Sequence, residues 1–438
     1  MMAHALETRT RVDATDSRRR ATAELAVAGL VVFAIAIRYR FSPDVPISFL
    51  ISIAILPMTA GLLLRHRGAA VLAALALLAA LSGAIITEAR SGTVAVSDAL
   101  RTVQTVRVLA LPLVLASLLW ARSVLGLQRL VLVFGLGSLA SLAVTGVNLD
   151  NVWKFSFSVP VTLIVLSLPW VWASTGRQLL SLGALAAVSA LADSRSLAAM
   201  LVIAAAIVLL ERRGRGGVLR VRSAWGAIAR LGVIAIAGYF AVQAAILEGV
   251  LGDAARARTE LQIDRSGTAI VGGRPEMGAA ASLIAERPLG YGSGALVTYD
   301  ERRLGAEGMW ALGYDPDNGY VHNYMFGNGL EVHSVLGDLW LIYGLAGAAL
   351  ALCVLLAVVA SAGHGIASGA ISAVALFLAI RSVWDVAFSP FASAMVTLPL
   401  ALAVLLPALP RAVPRRPSHG RRQAHGVAGP GPRSPRRR

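Results

Sequence analysis

At Val332-His333-Ser334-Val335-Leu336-Gly337-Asp338-Leu339-Trp340 the chain's one long polar stretch, residues 247–334, gives way to an apolar run. Upstream and downstream of that stretch the polar connections are short, and the apolar runs are about as long as a bilayer is thick. The 438 residues are 57% hydrophobic and only 15% charged, with a mean hydropathy of +0.70. Soluble domains are charged at about a quarter of their positions, so this composition describes a polytopic membrane protein.

Apolar runs recur at 21–37, 46–64, 69–87, 104–121, 129–147, 155–173, 178–192, 197–210, 226–246, 335–359, 366–381 and 391–408. Most approach the roughly 20 residues that a helix needs to cross about 30 Å of hydrocarbon. The expected fold is an all-α membrane protein of about 12 transmembrane helices, with one large polar loop between helices 9 and 10. Run 21–37 follows a basic segment, as a signal sequence does, and with further spans behind it reads as a retained first helix.

The charges orient the chain. Arg65, Arg67, Arg122, Arg129, Arg177 and the cluster from Arg212 to Arg222 all fall on one side, as do the basic tails 1–20 and 409–438. Basic residues collect on the cytoplasmic side. Both termini are therefore expected in the cytosol, with the Pro/Gly-rich C-terminal tail disordered. The loop 247–334, with twelve acidic residues against seven Arg, is expected outside. Nucleic-acid binding is not indicated, because the Arg lie in tails and short loops where orientation accounts for them. The lone Cys353 forms no intramolecular disulfide.

Some Arg break the orientation rule. Arg38, Arg40, Arg101, Arg107, Arg195 and Arg381 sit at the outer ends of the expected helices, Arg381 alternatively as the partner of Asp385. Guanidinium binds phosphate oxygens in a bidentate fork, so an outer-leaflet set of this kind suits an anionic lipid headgroup, above all a diphosphate. The runs 178–192 and 197–210 are short, and only a tight hairpin at Asp193-Ser194-Arg195-Ser196 keeps the basic loop after them inside. Arg195 then lies near or below the outer surface, either as a functional cation or as half of a turn-closing pair with Asp193.

Within the loop, residues 276–286 read as a short amphipathic helix closed by Pro288. Gly290, Gly292 and Gly294 form either a phosphate-approaching turn or a plain one. Asp315 and Asp317 stand in turn chemistry, Asp-Pro and Asn-Gly, that resembles a metal loop only in part. His322 and His333 are the loop's two imidazoles.

Three features in order resemble the O-antigen ligase and O-antigen polymerase superfamily. They are Ser194-Arg195-Ser196 opening an outer helix, Arg274 followed by Pro288-Leu289-Gly290-Tyr291-Gly292, and His333-Ser334 ahead of a helix bearing Gly344-Leu345-Ala346-Gly347. Met277 and Gly278 stand where that family commonly has Trp. The resemblance implies a GT-C-like membrane glycosyltransferase on the outer face of the plasma membrane. Its donor would be a glycan on a polyprenyl diphosphate, and its acceptor a second glycan or another cell-envelope molecule.

On that reading His333 is the base, with His322 the weaker choice. Arg195, Arg274 and Arg107 bind the diphosphate, and Glu331 and Asp338 are secondary candidates. Neither cofactor nor metal is expected, since the leaving group is already activated. The competing readings are a transporter or flippase of lipid-linked glycan, a structural scaffold, and a different GT-C enzyme. A major-facilitator porter would place its long loop inside between two six-helix halves.

Overall fold

A computed structural model describes residues 20–42, 45–214, 223–250, 252–266, 272–327 and 329–409. The expectations for the N-terminal tail, for most of the basic loop after Arg212 and for the C-terminal tail lie outside these residues. One compact unit spans Met1–Ala408, and of the second, Leu409–Arg438, only Leu409 is described.

Among the described residues the regular structure is helical apart from a small hairpin, β1 (Arg40–Ser42) against β2 (Val45–Pro46). Helix α1 covers 20–36. Then come α2 (Ile47–Ala54), α3 (Leu56–Leu63), α4 (Ala69–Arg90), α5 (Asp98–Leu125), α6 (Leu127–Ala140) and α7 (Leu142–Thr145). A π-helical turn, Trp153–Phe157, leads into α8 (Ser158–Ser167), α9 (Pro169–Trp172), α10 (Thr175–Leu191), α11 (Arg195–Gly214) and α12 (Ala224–Leu247). The loop holds α13 (Asp253–Ser266), α14 (Glu276–Glu286), α15 (Tyr299–Trp310) and a second π-helical turn, Tyr320–Met325. The last elements are α16 (Val335–Ala367), α17 (Ala373–Phe388), α18 (Phe391–Ala394) and α19 (Leu398–Leu405).

Among the described residues, four stretches are long and apolar enough to cross a membrane: α4, α5, the α6–α7 stretch Leu127–Thr145, and α16. Helix α4 leaves Val71, Leu77, Leu78, Leu81 and Ile85 exposed while Leu72, Ala76 and Ala79 are buried. An apolar helix with an exposed apolar face belongs in lipid. This is an all-α membrane protein.

Helix boundaries differ from the apolar runs in two ways. Helix α5 starts well before run 104–121, because Ser97 caps it by accepting from the Leu100 N–H at 3.2 Å and Asp98 occupies its first turn. Arg101 is therefore on the helix and not ahead of it, Arg107 is roughly a turn and a half farther along, and Arg381 lies inside α17. Second, runs 46–64, 155–173 and 391–408 are broken. Pro57, Pro169 and Pro399 sit in the first turns of α3, α9 and α19, where a missing N–H is tolerated. The 178–210 region is a hairpin, α10 and α11 joined at Ala192–Ser194 with Asp193 at φ 49°.

The core packs α16 against α4, α12 and α17, and α5 against α4 and α19. Between α12 and α16 the polar stretch is itself packed. Leu283, Tyr291, Met309, Met325, Phe326 and Val332 form a second apolar cluster. Helices α14 and α15 cross where Gly278 meets Gly308, since a Cβ on Gly278 would lie 2.0 Å from the Gly308 carbonyl oxygen.

Two sets of connections gather separately. Arg67 N–H donates to the Pro407 carbonyl at 3.1 Å, and Arg122 donates to the carbonyls of Ala403 and Leu406 at 2.7 and 2.9 Å. The packed loop instead meets residues 83–101, the start of α16 and the end of α17.

Candidate functional site

His333 is one of two described non-glycine residues with a positive φ, 52°. Its neighbours hold it there. Val332 N–H donates to Asp338 Oδ1 at 2.7 Å, and Asp338 Oδ2 accepts from Phe391 N–H at 2.8 Å. On the other side Ser334 caps α16, accepting from Gly337 N–H at 3.1 Å and donating to the Val386 carbonyl at 3.0 Å. A left-handed residue with a Cβ costs roughly 1–2 kcal/mol, and such strain collects at functional positions. Asp338 thus acts on the backbone around the imidazole; fully bonded, it is a brace.

The His333 ring lies 5.2 Å from that of Tyr320, and its Nδ1 is buried without a hydrogen-bond partner among the described residues. Tyr320 donates its hydroxyl to Glu276 Oε1, while Glu276 Oε2 is buried with no hydrogen-bond partner among the described residues. Burial and the Glu276 carboxylate both push the Tyr320 hydroxyl's pKa up, and Arg274 pulls it down. Arg274 packs its guanidinium over Trp384 and Phe388, at 5.3 and 5.8 Å, with no ion pair among the described residues. Buried polar atoms are nearly always paired, so unpaired ones are places where a water or a ligand can complete the bonding.

Arg107 donates to Glu331 Oε1 at 3.2 Å and to Gln104 Oε1 at 3.3 Å, which ties α5 to the residues just before His333. Arg195 pairs with Asp193 Oδ1 at 3.6 Å and donates to Thr259 Oγ1 at 3.3 Å. Among the described residues no hydrogen bond or ion pair joins it to Arg107, Arg274 or His333. His322 is exposed and pairs with Asp317 Oδ1 at 3.1 Å. Asp315 accepts from Asp317 N–H at 3.0 Å, as in an ordinary Asx turn.

The glycine turn takes the plain reading. Gly290 N–H donates to Arg287 O, Tyr291 N–H to Leu341 O, Ser293 N–H to Gly83 O and Gly294 N–H to Thr87 Oγ1, so these donors are spent inside the protein. The glycines allow close approach to α4 and α16. A Cβ on Gly290 would sit 2.7 Å from Gly344 N, and one on Gly344 2.3 Å from the Leu289 oxygen. Gly344 itself has φ 64° and ψ −149°, the kink of α16.

Four participants escape a reading of the sequence. Glu276 and Tyr320 flank the motifs without announcing a role, and Trp384 and Phe388, four apart on α17, look like ordinary helix packing. Arg90 is the exception, because the rule that picks out Arg38 also picks out Arg90 once α4 is extended past residue 87. It donates to Glu301 and to the Tyr291 carbonyl at 2.7 Å, and locks α4 to α15.

No family model matches the chain, and neither curated proteins nor solved structures provide a significant match.

Proposed function

We propose that the protein is a membrane glycosyltransferase that moves a glycan from a polyprenyl-diphosphate carrier to a glycan or cell-envelope acceptor. The observation that carries this reading is the juxtaposition, around Tyr320, of a buried His333 imidazole nitrogen and an Arg274 guanidinium, the one without a hydrogen-bond partner and the other without an ion pair among the described residues. In the reaction the acceptor hydroxyl oxygen bonds to the anomeric carbon as the bond to the diphosphate oxygen breaks. The proton passes to the His333 imidazole as general base, and the charge that develops on the diphosphate falls to arginine. A single displacement inverts the anomeric centre.

The reading places the chain in the plasma membrane with about 12 crossings, in a GT-C-like arrangement with both termini in the cytosol. Support comes from the contacts: segments assigned to the inner side by charge, at 67, 122 and 403–407, meet one another. Among the described residues the loop's hydrogen bonds run to the helix halves assigned outside, at Gly83, Thr87, Arg90 and Arg107.

The test is transfer by the full chain purified in detergent, with a polyprenyl-diphosphate glycan, an acceptor and EDTA, read on a gel. Arg274→Lys keeps the charge and loses the fork, and is expected to cut transfer about tenfold or more. Transfer abolished by EDTA would return Asp315 and Asp317 to consideration. Absence of transfer under all conditions, with the lipid-linked glycan crossing vesicle bilayers that contain the protein, would make it a transporter.

A further inference from the structure

A cavity of about 310 Å³ opens between the end of α1, the hairpin, α5 and the α18–α19 segment. Three guanidinium-bearing residues line it: Arg38, Arg40 and Arg107. Farther along α5 its wall becomes apolar, at Ala110 and Val114, and Phe134 and Val396 complete that end. Seven residues separate Arg107 from Val114, roughly 10 Å along a helix. The cavity is therefore cationic at one end and apolar about 10 Å away. No carboxylate lines it among the described residues. Arg38 lines the cavity, and burial together with the charge of Arg381, itself paired with Asp385 Oδ2 at 3.5 Å, holds its pKa below the usual arginine value.

We infer that this cavity seats the phosphate-bearing headgroup of a lipid, with the guanidinium groups on phosphate oxygens and the first part of the hydrocarbon chain against Val114 and Phe134. Ligand pockets span roughly 300–1,000 Å³, so this one takes a headgroup and a short length of chain and leaves the remainder in the bilayer. The fork geometry of arginine fits phosphate oxygens, and Ser48 and Ser393 add hydroxyls to the lining. Arg107 joins the seat to the His333 loop, because the same side chain holds Glu331 at 3.2 Å.

Two lipids carry this chemistry, a polyprenyl diphosphate and an anionic phospholipid, and the inference rests on the proposed function only for naming the first. The experiment is native mass spectrometry of the full chain in mild detergent, titrated separately with a polyprenyl diphosphate, phosphatidylglycerol and the uncharged polyprenol. Wild type is expected to retain a phosphate-bearing lipid and not the polyprenol. Arg38→Gln with Arg40→Gln should weaken retention about tenfold or more, the loss of a charge-assisted contact. Should that variant fail to fold, Arg38→Lys with Arg40→Lys keeps the charge, and a weaker loss in the same direction is expected. Preference for the diphosphate makes the cavity a donor seat, and preference for phosphatidylglycerol makes it the seat of a resident bilayer lipid. Equal retention by wild type and both variants, or polyprenol held as well as its diphosphate, overturns the inference. Because retention is read without transfer, loss of transfer with retention intact counts against the enzyme and not against the seat.

Discussion

The rings of Tyr320 and His333 stand 5.2 Å apart, and the Tyr320 hydroxyl is committed to Glu276. The tyrosine therefore fixes one face of the imidazole without bonding to its nitrogens. Removal of the imidazole is expected to lower transfer by about 10²–10⁴-fold, the usual worth of a general base. His333→Asn is the better variant, since Asn tolerates the left-handed backbone at φ 52° better than Ala does. His322→Ala should have a mild effect, because His322 is exposed and bonded to Asp317. Equal losses from the two variants, measured as initial rates at saturating donor, would remove His333 from its assigned role.

Alkali offers a separate probe of the loop. Burial raises the pKa of both Tyr291 and Tyr320, with Glu301 adding to the first and Glu276 to the second. A phenol whose folded pKa lies above its unfolded value of about 10 stabilises the fold fully below that pH. The unfolded chain binds fewer protons above it, so stability falls as pH rises towards the folded value. Thermal unfolding midpoints should accordingly drop above about pH 10. The drop should be shallower in Tyr320→Phe than in wild type. Identical slopes would mean that Tyr320 titrates as an exposed phenol does.

Much of this arrangement is legible in the sequence, and the illegible part has a physical cause. Helix α14 is readable at 276–286 because Pro288 stops it and its small apolar residues recur on one face. The helical hairpin at Asp193 follows from charge parity alone. The breaks after α2, α8 and α18 are written in Pro57, Pro169 and Pro399, which a hydropathy run ignores. Nothing local shows where the donors of the glycine turn go. Their partners, Gly83 O, Thr87 Oγ1 and Leu341 O, come from two distant helices. Trp384 reaches the Arg274 guanidinium by the same long route.

Arg90 and Glu301 form a buried pair, each side chain 9% exposed, and Glu301 Oε2 also accepts from Thr298 N–H at 2.9 Å. Removing Arg90 leaves the buried Glu301 carboxylate with the half-exposed Arg287, at 4.0 Å, in its place, and breaking a buried pair costs up to about 3–5 kcal/mol. Arg90→Ala should therefore lower the unfolding midpoint sharply and release α15 to protease. Arg303→Ala, on the same helix but in an exposed pair with Glu307, should leave the midpoint nearly unchanged. Similar midpoints for the two variants would show that Arg90 does not anchor the loop.

The crossing pattern can be read by cysteine labelling, with Cys353 changed to Ala so that no native thiol reports. The connection at Asp150 and the loop residue Trp310 are both exposed, and charge parity puts both outside. Gly176, exposed at the start of α10 beside Arg177, falls inside by the same rule. In intact cells a membrane-impermeant maleimide should label Asp150→Cys and Trp310→Cys. It should reach Gly176→Cys only after lysis. The comparison is sensitive to the broken helices, because α8 and α9 together must carry the chain from Asp150 to Gly176 across the bilayer despite the interruption at Leu168. Labelling of Asp150 and Gly176 from the same side would mean that α8–α9 turns back, and the count of about 12 crossings would fail there.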